Sequence, residues 1–217
     1  MTERSKTVQH SRGRPRGRPP LVGARDALVT SGLALMHDRG YHAAGVTDIA
    51  ADAGVAKGGF YSQFASKDDL GVAVVDKFAD RMFAALHEHL DDPREPSPLR
   101  RLHRYFAARI AHHEAQGFVR GCLLGNFALE LGDHSEPVRQ RVEHYFEELA
   151  RALAEPIRAA QAAGEVRDDR GALPLARFVV TAWEGALLAM RARKSAAPLR
   201  EFVAMTLDDF LVGAARR

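Results

Sequence analysis

Residues 46–70 read Val46-Thr47-Asp48-Ile49-Ala50-Ala51-Asp52-Ala53-Gly54-Val55-Ala56-Lys57-Gly58-Gly59-Phe60-Tyr61-Ser62-Gln63-Phe64-Ala65-Ser66-Lys67-Asp68-Asp69-Leu70. Ile49, Ala50 and Ala53 recur at helical spacing behind Thr47, which can cap a short helix, and Gly54 stops that helix at a sharp turn. A second helix starts near Lys57. Val55, Phe60 and Phe64 supply its buried side, leaving Lys57, Tyr61 and Gln63 to project outward. Two short helices across a glycine turn make a helix-turn-helix, whose second member would lie in a DNA major groove.

Upstream, the chain turns strongly basic. Before Asp26 stand Arg4, Lys6, Arg12, Arg14, Arg16, Arg18 and Arg25 against Glu3 alone, although the net charge of all 217 residues is only +3. Residues 1–20 have almost no apolar content, so they are expected to be a basic arm that is disordered without DNA. Within it, Pro15-Arg16-Gly17-Arg18-Pro19 resembles the core of an AT-hook. Prolines hold such a segment extended, glycine lets the backbone sink into a narrow minor groove, and arginines such as Arg14, Arg16 and Arg18 reach where A·T steps concentrate negative potential. The alternative is a solvated tail. Between arm and motif, a first helix over about 22–39 would pack Leu28, Leu35 and Met36 beneath the helix-turn-helix.

Downstream, Ser66 and Asp69 form a capping pattern for a fourth helix reaching about Leu90. Leu70, Val74, Phe78 and Met82 repeat every four residues along it, making it the natural lever between two domains. Three prolines between Asp91 and Pro98 mark a boundary. Beyond it the periodicity predicts helices over about 98–115, 122–131, a long one capped by Ser135 and kinked at Pro156, 172–193 and 198–213. The fold class is all-α. The expected division is a basic arm (1–20), a three-helix helix-turn-helix domain (21–67) and a C-terminal helical domain (68–217).

Composition narrows the setting. With 46% hydrophobic residues the chain can bury a substantial core, and its apolar runs are broken by charges before the roughly 20 residues of a membrane span. A cytoplasmic protein with no membrane partner is expected. The single cysteine, Cys122, excludes an intrachain disulfide framework and a cysteine-rich zinc site. His87-Glu88-His89 and His112-His113-Glu114 are the best metal candidates, but neighbours on a helix diverge by about 100°, so neither chelates alone and no metal or cofactor is expected.

From about Ala27 to Leu70 the sequence resembles the DNA-binding domain of the TetR/AcrR family. Gly40-Tyr41, Asp48-Ile49-Ala50, Ala53-Gly54-Val55, Lys57-Gly58, Phe60-Tyr61, Phe64, Ser66-Lys67 and Asp69-Leu70 carry the likeness in one register. The resemblance implies a homodimer with a C-terminal ligand-binding and dimerisation domain, usually a repressor released from a palindromic double-stranded DNA operator by a small-molecule effector. It maps DNA contacts onto Thr47, Lys57, Tyr61, Gln63 and Lys67. Thr47, Tyr61 and Lys67 suit phosphates, whereas Lys57 and Gln63 suit guanine and adenine edges. Gly59 departs from the family's usual small hydroxyl residue, which predicts thinner readout and more reliance on the arm.

In the C-terminal part, Phe78, Met82, Phe106, Tyr145 and Trp183 could line a pocket or form ordinary core. Asn126, Glu130 and Glu184 interrupt apolar patterns, and they either pair with one another or face a ligand. Residues 120–131 and 182–191 resemble the branch of the family containing the acrylate-responsive repressor and the electrophile-sensing N-ethylmaleimide reductase repressor. That likeness suggests a small electrophile or unsaturated acid as effector, with Cys122 and Arg191 in sensing. A helix N-terminus and Arg120 would favour the Cys122 thiolate; the alternative is an inert buried thiol. By the same resemblance the last two helices form a four-helix dimer interface, against the alternative of intradomain core. The whole reads as a ligand-responsive repressor, with an effector-independent architectural protein using the AT-hook-like arm as the other reading. Enzyme motifs such as Gly-x-Ser-x-Gly or His-Glu-x-x-His are missing from the sequence.

Overall fold

The structure, a computed structural model, describes residues 23–213. Arg14, Arg16 and Arg18, with the AT-hook-like segment, lie outside the described residues. Among those described there are nine α-helices and no strand. Helix α1 spans Ala24–Arg39, α2 Val46–Asp52 and α3 Lys57–Tyr61; α4 spans Lys67–Leu90 and α5 Pro98–Ala115. They are followed by α6 (Leu123–Leu131), α7 (Glu136–Ala162), α8 (Ala172–Arg193) and α9 (Ala197–Phe202), which runs into a π-helical segment, Val203–Leu211.

Local chemistry explains most boundaries. Ser66 caps α4 in a reciprocal box, its hydroxyl accepting from the Asp69 N–H while Asp69 accepts from the Ser66 N–H. Ser97 caps α5 with Pro98 at its first position. Two expected caps are corrected. Thr47 lies inside α2, because the backbone is already extended at Gly45 and the helix starts at Val46. Ser135 does precede α7, but its hydroxyl donates 2.6 Å to the Asp68 carboxylate instead of capping, tying α7 to the start of α4. Helix α7 also continues through Pro156.

The core packing runs across residue 67. One core cluster joins Leu28, Met36, Ile49, Phe60 and Phe64 to Leu70, Val74 and Val75 of α4, and also to Leu123, Leu124, Phe127 and Leu131 of α6. Helix α6, far away in sequence, therefore belongs to the core of the helix-turn-helix unit. The second cluster takes over at Leu86 and is built from α5, α7, α8 and α9. By length and composition alone α8 is long and apolar enough to cross a membrane, although Arg177 and Glu184 interrupt its apolar run. In the fold Leu175, Val179, Trp183, Leu187 and Met190 bury against neighbouring helices. Phe178 and Met205, by contrast, lie on the surface, 47% and 64% exposed.

Candidate DNA interface and ligand cavity

Helix α3 has five residues and two of them are glycine, so its own propensity is poor. Tertiary anchoring holds it: Phe60 is fully buried and stacks on Phe64 at 5.8 Å between ring centroids. Lys57 and Tyr61 stand exposed, and Gln63 is half-buried just beyond the helix. Arg25 of α1 braces this corner, lying 4.3 Å over the Phe64 ring and donating to the Gln63 carbonyl. Gly58 has open space where a side chain would sit, whereas a Cβ on Gly59 would come within 2.8 Å of Val55. The second glycine is therefore explained by packing of α3 against the turn that precedes it.

Lys67 differs from the other candidates. Its ammonium donates 2.6 Å to the Tyr41 carbonyl and lies 4.3 Å over the Tyr41 ring, and burial lowers its pKa. In the DNA-free chain it is thus an internal strut. Tyr41 in turn donates to the Asp68 carboxylate, which also accepts from Ser135. Those two hydrogen bonds lower the Asp68 pKa, while burial raises that of Tyr41.

The helix-turn-helix unit meets the C-terminal helices at the start of α6. His37 Nε2–H donates 2.8 Å to the Gly121 carbonyl, and the Arg120 guanidinium pairs with Asp38 at 2.5 Å. Further along α6, Phe127 packs edge-on against Tyr41 at 5.6 Å, and Glu130 accepts from the His42 N–H. Glu130 thus faces the DNA-binding unit, closing over Gly40, where a Cβ would lie 2.9 Å from its carboxylate. It faces no ligand.

Two cavities meet at Gly121 and Cys122, just ahead of α6. The wide one, about 1030 Å³, lies between α6, α7 and α8, with Gly125, Asn126, Phe146, Thr181 and Arg191 in its wall. The narrow one, about 390 Å³, lies between α1, α4, α5 and α8, with His37, Phe78, Met82, Arg109, His113 and Trp183 among its lining residues. Gly121, Cys122, Glu184 and Leu187 line both and form the partition. Of the sequence candidates, Phe78, Met82, Cys122, Asn126, Trp183 and Glu184 therefore do face cavities. Phe106 does not: it is core, 5.0 Å from both Trp183 and Phe202 between ring centroids. Tyr145 lines neither cavity, and its hydroxyl donates 2.9 Å to Asp76 on α4.

The partition has unusual acid–base chemistry. Burial lifts the Glu184 carboxyl to about 7, and its oxygen occupies the space a Gly125 side chain would need, 2.6 Å from that Cβ position. Burial, and then the Glu184 charge, push the Cys122 thiol well above its ordinary range. Burial thus favours the neutral thiol over the expected thiolate, and the cations that could favour the thiolate are held elsewhere. Arg120 pairs with Asp38, and Arg191 donates 2.8 Å to Asn126. No group of three or more potential metal ligands comes together among the described residues.

Comparison with known proteins places this arrangement. Residues 28–74 match the family model of bacterial regulatory proteins of the tetR family, and residues 98–206 match that of the tetracyclin repressor-like C-terminal domain. The chain belongs to the TetR family. It is 35% identical over 187 residues to the HTH-type transcriptional repressor DhaR of Mycobacterium sp. (strain GP1), spanning 86% of this chain and 92% of that one. It is likewise 35% identical over 191 residues to the transcriptional regulator AcuR of Cereibacter sphaeroides, spanning 88% and 87%. A crystal structure of a TetR regulatory protein from Rhodobacter sphaeroides superposes with a TM-score of 0.80 at 31% identity, covering 87% of this chain and 100% of that one. This TetR-family member is accordingly a DNA-binding transcriptional regulator, and its relatives are regulators rather than enzymes.

Proposed function

We propose that the regulator is a cytoplasmic homodimer that represses transcription from a roughly palindromic operator and lets go when a small molecule enters the cavities beside α6. The observation that carries this reading is the double allegiance of α6. Its Leu123, Leu124, Phe127 and Leu131 belong to the helix-turn-helix core, while Cys122, Gly125 and Asn126 line cavity. A ligand that fits one placement of α6 better than another shifts the DNA-binding unit by its differential affinity. On the DNA, Lys57 and Gln63 read base edges, and Thr47, Tyr61 and Lys67 hold phosphates, Lys67 after leaving the Tyr41 carbonyl. The basic arm adds A·T-dependent contacts beyond the footprint of α3.

The test begins with operator fragments selected from a random DNA pool and followed by fluorescence anisotropy against a small-molecule panel. Gln63→Ala should cost roughly 1–3 kcal/mol and relax preference at one position. Filling the cavities with Met82→Trp and Thr181→Trp should blunt release in at least one of the two variants while operator affinity is retained. Equal release in both would remove the cavities from the mechanism.

A further inference from the structure

The described residues and the DNA they bind share a sign of charge. Residues 23–213 carry 23 lysines and arginines against 27 aspartates and glutamates, whereas residues 1–22 carry six against Glu3 alone. The imbalance holds at the reading unit itself. From Gly23 to Ser66 the cations are Arg25, Arg39 and Lys57, against Asp26, Asp38, Asp48 and Asp52. Asp48 and Asp52 stand exposed on α2, the helix that precedes the reading helix. A duplex carries one phosphate charge per about 1.7 Å of its axis, so a unit of this composition gains little from approaching it unless cations come from elsewhere.

Cations of the folded helices do not make up the difference. Lys57 is the one cation on α3, and Arg39 stands at the far end of α1, about 20 Å along its axis from Arg25. Lys67 holds its ammonium on the Tyr41 carbonyl, and Lys77 is paired with Asp26 at 2.6 Å. Arg25 lies over the Phe64 ring and donates to the Gln63 carbonyl. That brace also fixes where the basic segment joins the folded body. Gly23, in the left-handed region at φ 81, leads into α1 two residues before Arg25, so residues 1–22 attach at the corner where α1 meets the end of α3. An extended chain spans at most about 3.5 Å per residue, which lets Arg18 act up to roughly 18 Å from Gly23, about half a turn of the duplex.

We infer that residues 1–22 are the principal phosphate clamp of this regulator, supplying most of its electrostatic affinity for any duplex, while α3 supplies selectivity with little charge of its own. The inference rests on the operator-binding reading above and deepens it: the A·T-dependent contacts proposed there are a local preference, whereas the clamp depends on charge and is indifferent to sequence. A dimer brings two such segments, and so twelve of these cations, to one operator.

Salt titrations of the full-length protein, followed by fluorescence anisotropy on operator and on a scrambled duplex, test this. Each phosphate neutralised steepens the plot of log affinity against log salt by about 0.9. Replacing Arg4, Lys6, Arg12, Arg14, Arg16 and Arg18 together by Gln leaves every described residue in place. That variant should lose more than half of the wild-type slope on both duplexes, and at least about a hundredfold in affinity at about 150 mM salt. Lys57→Gln should flatten the slope of a dimer by only about 2, one contact per protomer. Pro15→Ala with Gly17→Ala and Pro19→Ala, which keeps every charge, should keep the slope and lose only the A·T flank preference. A six-Gln variant that retains more than half of the slope, or a slope lost equally in the charge-preserving variant, overturns the inference. Preference for operator over scrambled duplex reads the helix-turn-helix separately. The six-Gln variant should retain it at low salt; its absence from wild type would remove the operator reading, while the slope on either duplex still measures the clamp.

Discussion

Helices α3 and α6 are both short, and neither has a side-chain cap, yet they are held in opposite ways. Helix α3 buries Phe60 alone and presents the rest of its surface outward. Helix α6 buries Leu123, Leu124, Phe127 and Leu131 on one side and walls a cavity with the other. A reading helix needs one deep anchor and freedom everywhere else. A coupling helix needs two partners, so that neither can move without it.

The contrast is broken or sharpened most strongly by removing the anchors. Phe60→Ala and Phe127→Ala should each cost about 3–5 kcal/mol, because both rings are fully buried and leave cavities. Their consequences should differ. Thermal unfolding with parallel DNA and effector titrations should show Phe60→Ala losing operator affinity while keeping effector affinity, and Phe127→Ala losing both. If Phe127→Ala binds effector normally, α6 is not shared between the two functions.

Glu184 gives the next largest effect. Its folded-state pKa of about 7 stands above the ordinary 4.5, so the folded chain holds this proton more tightly than the unfolded chain does. The stability it contributes is fully present below pH 4.5 and is lost as pH rises through about 7, a change of about 3 kcal/mol at most. Denaturant unfolding across that window should show Glu184→Gln gaining on wild type as pH rises. Parallel curves for the two proteins would mean that the carboxyl is solvated and the partition is open.

Cys122 yields the smallest effect. A thiol raised by burial and by Glu184 should react with N-ethylmaleimide at pH 7 at least about tenfold more slowly than an unhindered cysteine. Operator release by the reagent should then be as slow as the alkylation itself, and lost in Cys122→Ser. Fast alkylation in wild type would restore the thiolate reading and require an α6 placement that brings Arg120 or Arg191 to the sulfur.

The two short helices were also unequally legible in the sequence. The α2–turn–α3 unit could be read because its determinants are local: Gly54 in the left-handed region, Ser66 with Asp69, and Phe60 and Phe64 one turn apart. Five of the nine helices expected beyond the arm begin and end within about a residue of where proline, glycine and capping residues put them. Thr47 and Ser135 misled because a hydroxyl near a helix start has several acceptors and donors to choose from. Phe106 and Tyr145 misled because periodicity tells which side chains turn inward but not whether atoms or empty space await them.

By itself, then, the sequence determined the all-α class, the helix-turn-helix register and the exposure of Lys57 and Tyr61, since these depend on spacing within one or two turns of chain. Tertiary structure alone decided that α6 packs into the DNA-binding core, that Lys67 is tethered to Tyr41, and that Arg109, His113 and Glu184 converge on cavity. Those facts depend on contacts between helices far apart in the chain, and their charges and pKa values follow from burial, which no local pattern encodes.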